Sequence, residues 1–585
     1  MFPNNFRILL LLIFQNFFKK KALIFFGIGI IFFNSGLFAQ WVNNPSINTE
    51  VVHDLLKPVN ISAITDSEGG AFLIWQDHKR NGKNIVYFMH INDKGKTSFD
   101  GNEKKVCNLK GKEVNPVAAL SQSDKAVILW KDFSKSKSGE LVVQKVNNNG
   151  TLLWSNEGIQ ITKTNNLFSN YDVSYGSNGN TFISYVAKKP NITGNYLVKV
   201  QKLNTNGDLL FNADSSTVYS SKYPVNKTAV ITDNKGGAYV LWLEIQGKST
   251  SIFARHIDNK GHILWGKYPL SVSDNHQNII TYTAEGTGAG YIYVSWQTQL
   301  DTKHIYHQLI NANGKTMWTK GGKIVTRRKG NQFNPQAVFD DSTIILSWTN
   351  GLNDNKKVFI QKYNFNGNPM WKAGGIPVAE INGSQFGQKI VNDANNNVII
   401  AWIGRRVDSV LANIYVQKIN SQGEKLWKST GVAVASNYNT LKSYLSIVSD
   451  LKGGGIALFL NKRNNKYAVY AQKVFNSGTY ISQITDFKTK VTGDSVKIFW
   501  RTTNEFNNYT YAIERTPQIN TDNSNWVTIK NIKTLKEGKD NYYQYFDVPN
   551  LSGTLYYRII QKDQNGDVQI SNIDRADYLE HSAKI

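Results

Sequence analysis

Two arginine doublets, Arg327-Arg328 and Arg405-Arg406, are by type the residues best suited to hold a ligand. A guanidinium is a planar, permanently charged fork that grips a carboxylate through two parallel hydrogen bonds. These four form the candidate binding set, expected either to meet on an anion or to lie on separate surface loops. Other chemistry-bearing residues are sparse. His304 and His307 stand three apart, which puts them on opposite faces of a strand and makes shared metal coordination unexpected. Neither HExxH nor a cysteine-rich ligand set occurs around His256, His262 or the other histidines. Asp66 in "TDSEGGA" and Asp233 in "TDNKGGA" could offer oxygens to calcium, although hydrogen bonding to their own turn explains them more simply. Cys107 is the only cysteine, so no internal disulfide forms, and "KKVCNLKG" holds no histidine to activate it. Phosphate-binding loops and the Gly-x-Ser-x-Gly elbow do not occur. The expectation is a chain with no catalytic residue, metal or cofactor, and no enzymatic activity.

The elements that would position such residues are repeated. "VNNNGTLLW" at 146 returns as "LNTNGDLLF", "IDNKGHILW", "INANGKTMW", "YNFNGNPMW" and "INSQGEKLW". The turn glycines are Gly95, Gly150, Gly207, Gly261, Gly314, Gly367, Gly423 and Gly478, a period of about 55 residues. In step with them, Trp75, Trp130, Tyr185, Trp242, Trp296, Trp348, Trp402 and Phe459 each end an apolar run. Within a unit, short β-branched runs bounded by Gly, Asn and Asp resolve into four strands with tight hairpins. Four antiparallel strands repeated around a ring describe an all-β, eight-bladed β-propeller over residues 40–478. The aromatic ending each second strand should pack between blades, and the tryptophan after each turn should anchor its own hairpin. The segment "QWVNNPSINTE" matches a fourth strand, and the last unit lacks one, so the first segment should complete the last blade and remove the open edges. After Gly478 the period stops, and about 100 residues of alternating strands, 479–585, read as a β-sandwich.

Composition agrees with a β-rich fold: 12% of residues are aromatic and only 19% charged. The net charge is +24, but the lysines are dispersed, so a generally basic surface is expected and no nucleic-acid partner. Lys19-Lys20-Lys21, an apolar run and a small residue at Ala39 read as a signal peptide, residues 1–39. Beyond it no apolar run is long enough to span a membrane as a helix.

Several families are resembled in part. Sialidase-type propellers carry a Ser and an Asp before Gly-x-Thr-Trp, and "NNNGTLLW" lacks both. Eight-bladed quinoprotein dehydrogenases need an adjacent cysteine pair, which one cysteine excludes. The sandwich is more specific. Trp500-Arg501-Thr502-Thr503-Asn504-Glu505, Tyr511-Ala512-Ile513-Glu514-Arg515, Tyr556-Tyr557-Arg558-Ile559 and Asp563-Gln564-Asn565-Gly566 resemble the fibronectin-type-III-like (Ig-like) domain of proteins exported by bacteria that use type 9 secretion. The further sorting domain usual in those proteins does not follow. The resemblance implies a periplasmic protein, with a secreted or cell-surface location as the alternative. Its implied role is a non-enzymatic envelope subunit that binds an outer-membrane β-barrel or another envelope protein and plugs the periplasmic side of the type 9 translocon. The alternative is a secreted glycan-binding or glycan-processing propeller, which would gather carboxylates and arginines at one mouth of the central channel. The loops "KKPNITGNY", "TRRKGNQF" and "GRRVDSVLA" depart most from the repeat and are the expected contact loops.

Overall fold

The computed structural model describes residues 41–579, apart from short segments that include 189–191, 213–216, 406–411, 504–509, 520–524, 536–540 and 563–567. The expected leader, Arg406, and parts of the contact loops and of the resemblance motifs (Asn504, Glu505, Asp563–Gly566) lie outside the described residues.

The described elements are all strands. Eight antiparallel sheets have four strands each, and seven of them use four consecutive strands of the chain. The eighth is assembled from both ends of the repeat region: Leu441–Ser449, Gly455–Arg463 and Lys466–Val474 are completed by Thr49–Leu55. The first strands are Val59–Thr65, Glu113–Gln122, Leu167–Tyr175, Val225–Thr232, Ile279–Gly286, Asn331–Phe339, Ser384–Asn392 and Leu441–Ser449. Each touches the first strand of the following sheet, and Leu441–Ser449 touches Val59–Thr65. Four-stranded sheets joined in this cycle have the architecture of a β-propeller.

The second-strand aromatics Trp75, Trp130, Trp242, Trp296, Trp348 and Trp402 are fully buried. They sit between sheets as the repeat predicts: Trp130 joins Phe72, Ile74, Val86 and Phe88 of the preceding sheet, and Trp75 joins Val448, Ile456 and Leu458. The tryptophans after the turns differ from expectation, because each reaches beyond its own hairpin. Six of them, Trp41, Trp154, Trp265, Trp318, Trp371 and Trp427, donate the indole N–H to a carbonyl two residues before the turn glycine of the next sheet, at 2.8–3.2 Å. The ring then lies flat on that glycine. At Gly367 (φ 73°) an added Cβ would come within 2.7 Å of Trp318, so only glycine fits both the left-handed turn and the ring. Phe99 and Phe211 occupy the same place on Gly150 and Gly261 without the hydrogen bond. The repeated glycine-turn motif is thus a sheet-to-sheet clasp.

The carboxy-terminal region has two sheets, one of Gln483–Thr492, Ser495–Thr503 and Asn541–Asp547, the other built on Thr510–Thr516 and Gly553–Lys562. They share a core of Trp500, Tyr511, Ile513, Tyr543, Tyr557 and Ile559. Residues that carry the resemblance do structural work here. Arg515 pairs Asp547 at 2.7 Å, Tyr557 donates its hydroxyl hydrogen to the same carboxylate, and Arg558 pairs Glu514 at 2.7 Å.

Candidate functional site

Residues singled out in the sequence mostly hold the scaffold. Arg328 donates to the Gly374 carbonyl at 2.8 Å and the Gly375 carbonyl at 3.2 Å and lies over the Phe359 ring, which ties one sheet to the next. Arg405 packs over Phe386, Arg327 is exposed, and the described arginines are not brought together on one point. Asp66 and Asp233 each use one oxygen to accept two backbone N–H groups of their own turn, at 2.7–2.8 Å, and the other to bond His90 and His256. Asp393 and Asp450 repeat the arrangement with Lys418 and Lys473. No group of three or more His, Cys, Asp or Glu suited to a metal occurs among the described residues. Burial drives His307 down to about 3, so it is a neutral hydrogen-bond partner of Tyr293. Cys107 is buried, its thiol pushed up by desolvation, just beyond Lys104–Lys105 and outside a strand.

The first strands carry what the repeat does not explain. Most of them break register at one equivalent place, where two residues oppose one and the chain bulges. The bulge residue has positive φ in seven of the eight: Asn60, Asn115, Asn170, Lys227, Asn334, Gly387 and Tyr444, from 41° to 64°. Asparagine suits this conformation because its short amide bonds locally. Asn60 donates to Asn115 at 2.8 Å, and Asn334 and Gln388 exchange hydrogen bonds. A lysine and a tyrosine at such a position are conformationally costly, and residues held that way cluster where a site needs them.

At the Lys227 bulge three neighbouring first strands place titratable groups side by side. Two residues after its bulge, Leu167–Tyr175 carries Asp172, which accepts the backbone N–H of Val230 on the next first strand at 3.0 Å. The Lys227 ammonium reaches Thr281 Oγ1 at 3.2 Å and the Tyr282 carbonyl, and lies 5.0 Å from the Tyr282 ring centre. Glu285 stands near the end of Ile279–Gly286 and remains accessible. Desolvation by the surrounding strands first, and the charge of Asp172 second, push the Glu285 carboxyl up to about 7 although the residue keeps contact with solvent. Desolvation also raises Asp172 to about 6, although the Val230 N–H and the Lys227 charge act against it. Burial lowers Lys227. Two raised carboxyls, one of which feels the charge of the other, are the equipment of acid–base chemistry.

Sequence reasoning missed this pair because it sought motifs rather than departures from the repeat. Aligned on the bulges, the Asp172 position holds Ser62, Val117, Ala229, Thr283, Gln336, Lys389 and Ser446 elsewhere. A carboxylate in that column is the signal. Of the convergence expected for a glycan site, carboxyls are present on these first strands, and no described arginine joins them.

A second feature lies beside the bulges of Val59–Thr65 and the last three first strands. It is a cavity of about 560 Å³ bordered by Phe333, Asn334, Lys356, Phe386, Lys389 and Tyr444, among others.

No protein-family model and no curated protein matches the sequence. Among solved structures, one similar chain is a polysaccharide lyase, ulvan lyase, bound to -[GlcA(1-4)Rha3S]-. It is 11% identical over 74% of this chain and 96% of that one, with a TM-score of 0.40. The polysaccharide lyase Uly1 is 10% identical over 75% and 92%, with a TM-score of 0.35. A family 43 endo-arabinanase from Bacillus licheniformis is 14% identical over 45% and 100%, with a TM-score of 0.27. The expectation of a chain without enzymatic activity is corrected at this point, since the similar solved chains include lyases and glycoside hydrolases. At these TM-scores the likeness carries no argument about substrate or reaction.

Proposed function

We propose that this chain is an exported glycan-processing protein: an eight-bladed propeller with an acid–base pair among its first strands, followed by a fibronectin-type-III-like sandwich. The observation that carries the reading is that Asp172 and Glu285, on first strands either side of the one carrying Lys227, are both raised toward neutrality, with the charge of Asp172 felt at Glu285. A Glu285 carboxyl at about 7 keeps its proton in mildly acidic and neutral solution and can give it to a glycosidic oxygen as the C–O bond breaks. Asp172, the more acidic of the two, takes the compensating proton, from water in a hydrolysis or from a ring carbon in an elimination. Lys227 stabilises the negative charge that develops between them.

The test is incubation of the full chain with a panel of neutral and acidic polysaccharides, reading new reducing ends and ultraviolet-absorbing unsaturated ends separately. Turnover is expected in one channel and should fall about a hundredfold or more in Glu285→Gln and in Asp172→Asn. Turnover that both variants retain would overturn the assignment.

A second reading has its own support. The sheet containing Asn541–Asp547 exposes Tyr542 and Phe546, and Lys497 lies between Phe546 and Phe499 on the neighbouring strand. This face fits the proposal that the chain, delivered to the periplasm by its leader, docks on an outer-membrane β-barrel of the type 9 translocon. Recovery of a stoichiometric barrel on purification from detergent-solubilised envelope is the expected result. Recovery of the chain alone counts against the docking.

A further inference from the structure

We infer that the cavity beside the bulges of the last three sheets takes the acidic residue of a glycan, its carboxylate seated on Lys389 and Lys356 and its sugar ring against Tyr444. The inference rests on the glycan reading above and deepens it to a substrate class.

Charge is the first argument. No Asp or Glu borders the cavity among the described residues, and the two amino groups belong to neighbouring sheets. Lys389 has no hydrogen-bond or ion-pair partner among them, and burial depresses its basicity. An ammonium held away from water without a counter-ion is costly, and the cost is recovered when an anion arrives. The repeat offers a comparison. Lys362, Lys418 and Lys473, on the third strands of the last three sheets, are matched to Asp340, Asp393 and Asp450 at 2.7–3.2 Å. Lys389 is a half-buried cation with no such carboxylate beside it.

Shape is the second argument. Tyr444 occupies the bulge position with φ 50°, where most other sheets use Asn, and its side chain is 41% exposed. A bulky residue in the left-handed region is strained, and the bulge turns its ring outward instead of into the core. Phe386 and Phe333 border the same space, and Lys356 lies 5.6 Å from the Phe333 ring centre. Aromatic faces beside hydrogen-bonding groups such as Asn334 suit a ring with apolar C–H faces and polar edges, and the lysines supply selection for its acid.

The experiment uses the full chain carrying Glu285→Gln, so that binding is read without turnover and the failure of one proposal is separable from the failure of the other. Calorimetric titration with a galacturonic-acid oligomer, its carboxyl-reduced counterpart and an acidic peptide is the measurement. Saturable binding of the acidic oligomer is expected, weakened about tenfold or more by Lys389→Met and by raising the salt, with little binding of the reduced oligomer. Tyr444→Asn, which restores the residue favoured at this bulge, should weaken the oligomer while leaving the fold intact, as read by an unchanged melting temperature. Equal binding of acidic and reduced oligomers, or indifference to both Lys389→Met and Tyr444→Asn, overturns the proposal. So does a peptide that binds as tightly as the sugar, which would make the cavity an anion site for protein.

Discussion

Glu285 and Asp172 are both raised by partial desolvation among the first strands, and the consequence is measurable without knowing a substrate. A carboxyl raised in the folded state binds more protons there than in the unfolded chain, between its ordinary value and its raised one. Stability therefore falls as pH rises through that window, here from about 4 to about 7. The melting temperature should decline over this range, and Glu285→Gln should flatten part of the decline. A wild-type profile no steeper than that of the variant would refute the raised carboxyl. None of this was legible as a motif. "NYDVSY" and "TYTAEG" look like ordinary strands, and only alignment on the bulges shows Asp172 as a departure. The arginine doublets drew attention by type, yet Arg328 is held by its neighbour sheet's carbonyls, a role that contact geometry alone reveals.

At the scale of the element, the clasp is the part the sequence announced most clearly, because a glycine and a tryptophan at fixed spacing have one common physical cause. What the repeat left open was the tryptophan's partner. A hairpin anchor and a sheet-to-sheet clasp place the same residue types at the same spacing, and only packing separates them. The distinction has an energetic reading. Gly367→Ala adds a left-handed penalty and a Cβ 2.7 Å from the Trp318 ring, and should cost about 2 kcal/mol or more in a denaturant titration. The double variant with Trp318→Ala should cost less than the sum of the two single changes, because each destroys the same contact. Full additivity would mean that the ring and the turn do not cooperate. The bulges escaped the sequence for the opposite reason: asparagine also recurs in the turns of the repeat, so its presence in a strand did not stand out.

The whole molecule depends on one strand borrowed from the far end of the repeat region. Thr49–Leu55 covers Lys466–Val474, with Tyr470 donating to Glu50 and Asn48 bonding Gln472 and the Val434 carbonyl. A chain begun at Leu56 leaves that edge unpaired and removes the Trp41 clasp on Gly95, and edges of this kind pair with other chains. It should elute as larger species in size-exclusion chromatography and lose its single sharp thermal transition. A monomer melting as the parent does would show that the ring does not need its closure.

That closure also sets a clock. Tyr470 and Glu50 are 420 residues apart, and contacts between such distant parts of a chain are the slow ones to form. A polypeptide delivered amino end first would carry Thr49–Leu55 as a waiting strand while seven sheets could already assemble behind it. The eighth sheet, with Tyr444 and part of the cavity wall, would become complete only when residue 474 had arrived. Competence to bind would then begin at the last step of folding rather than accumulate along it.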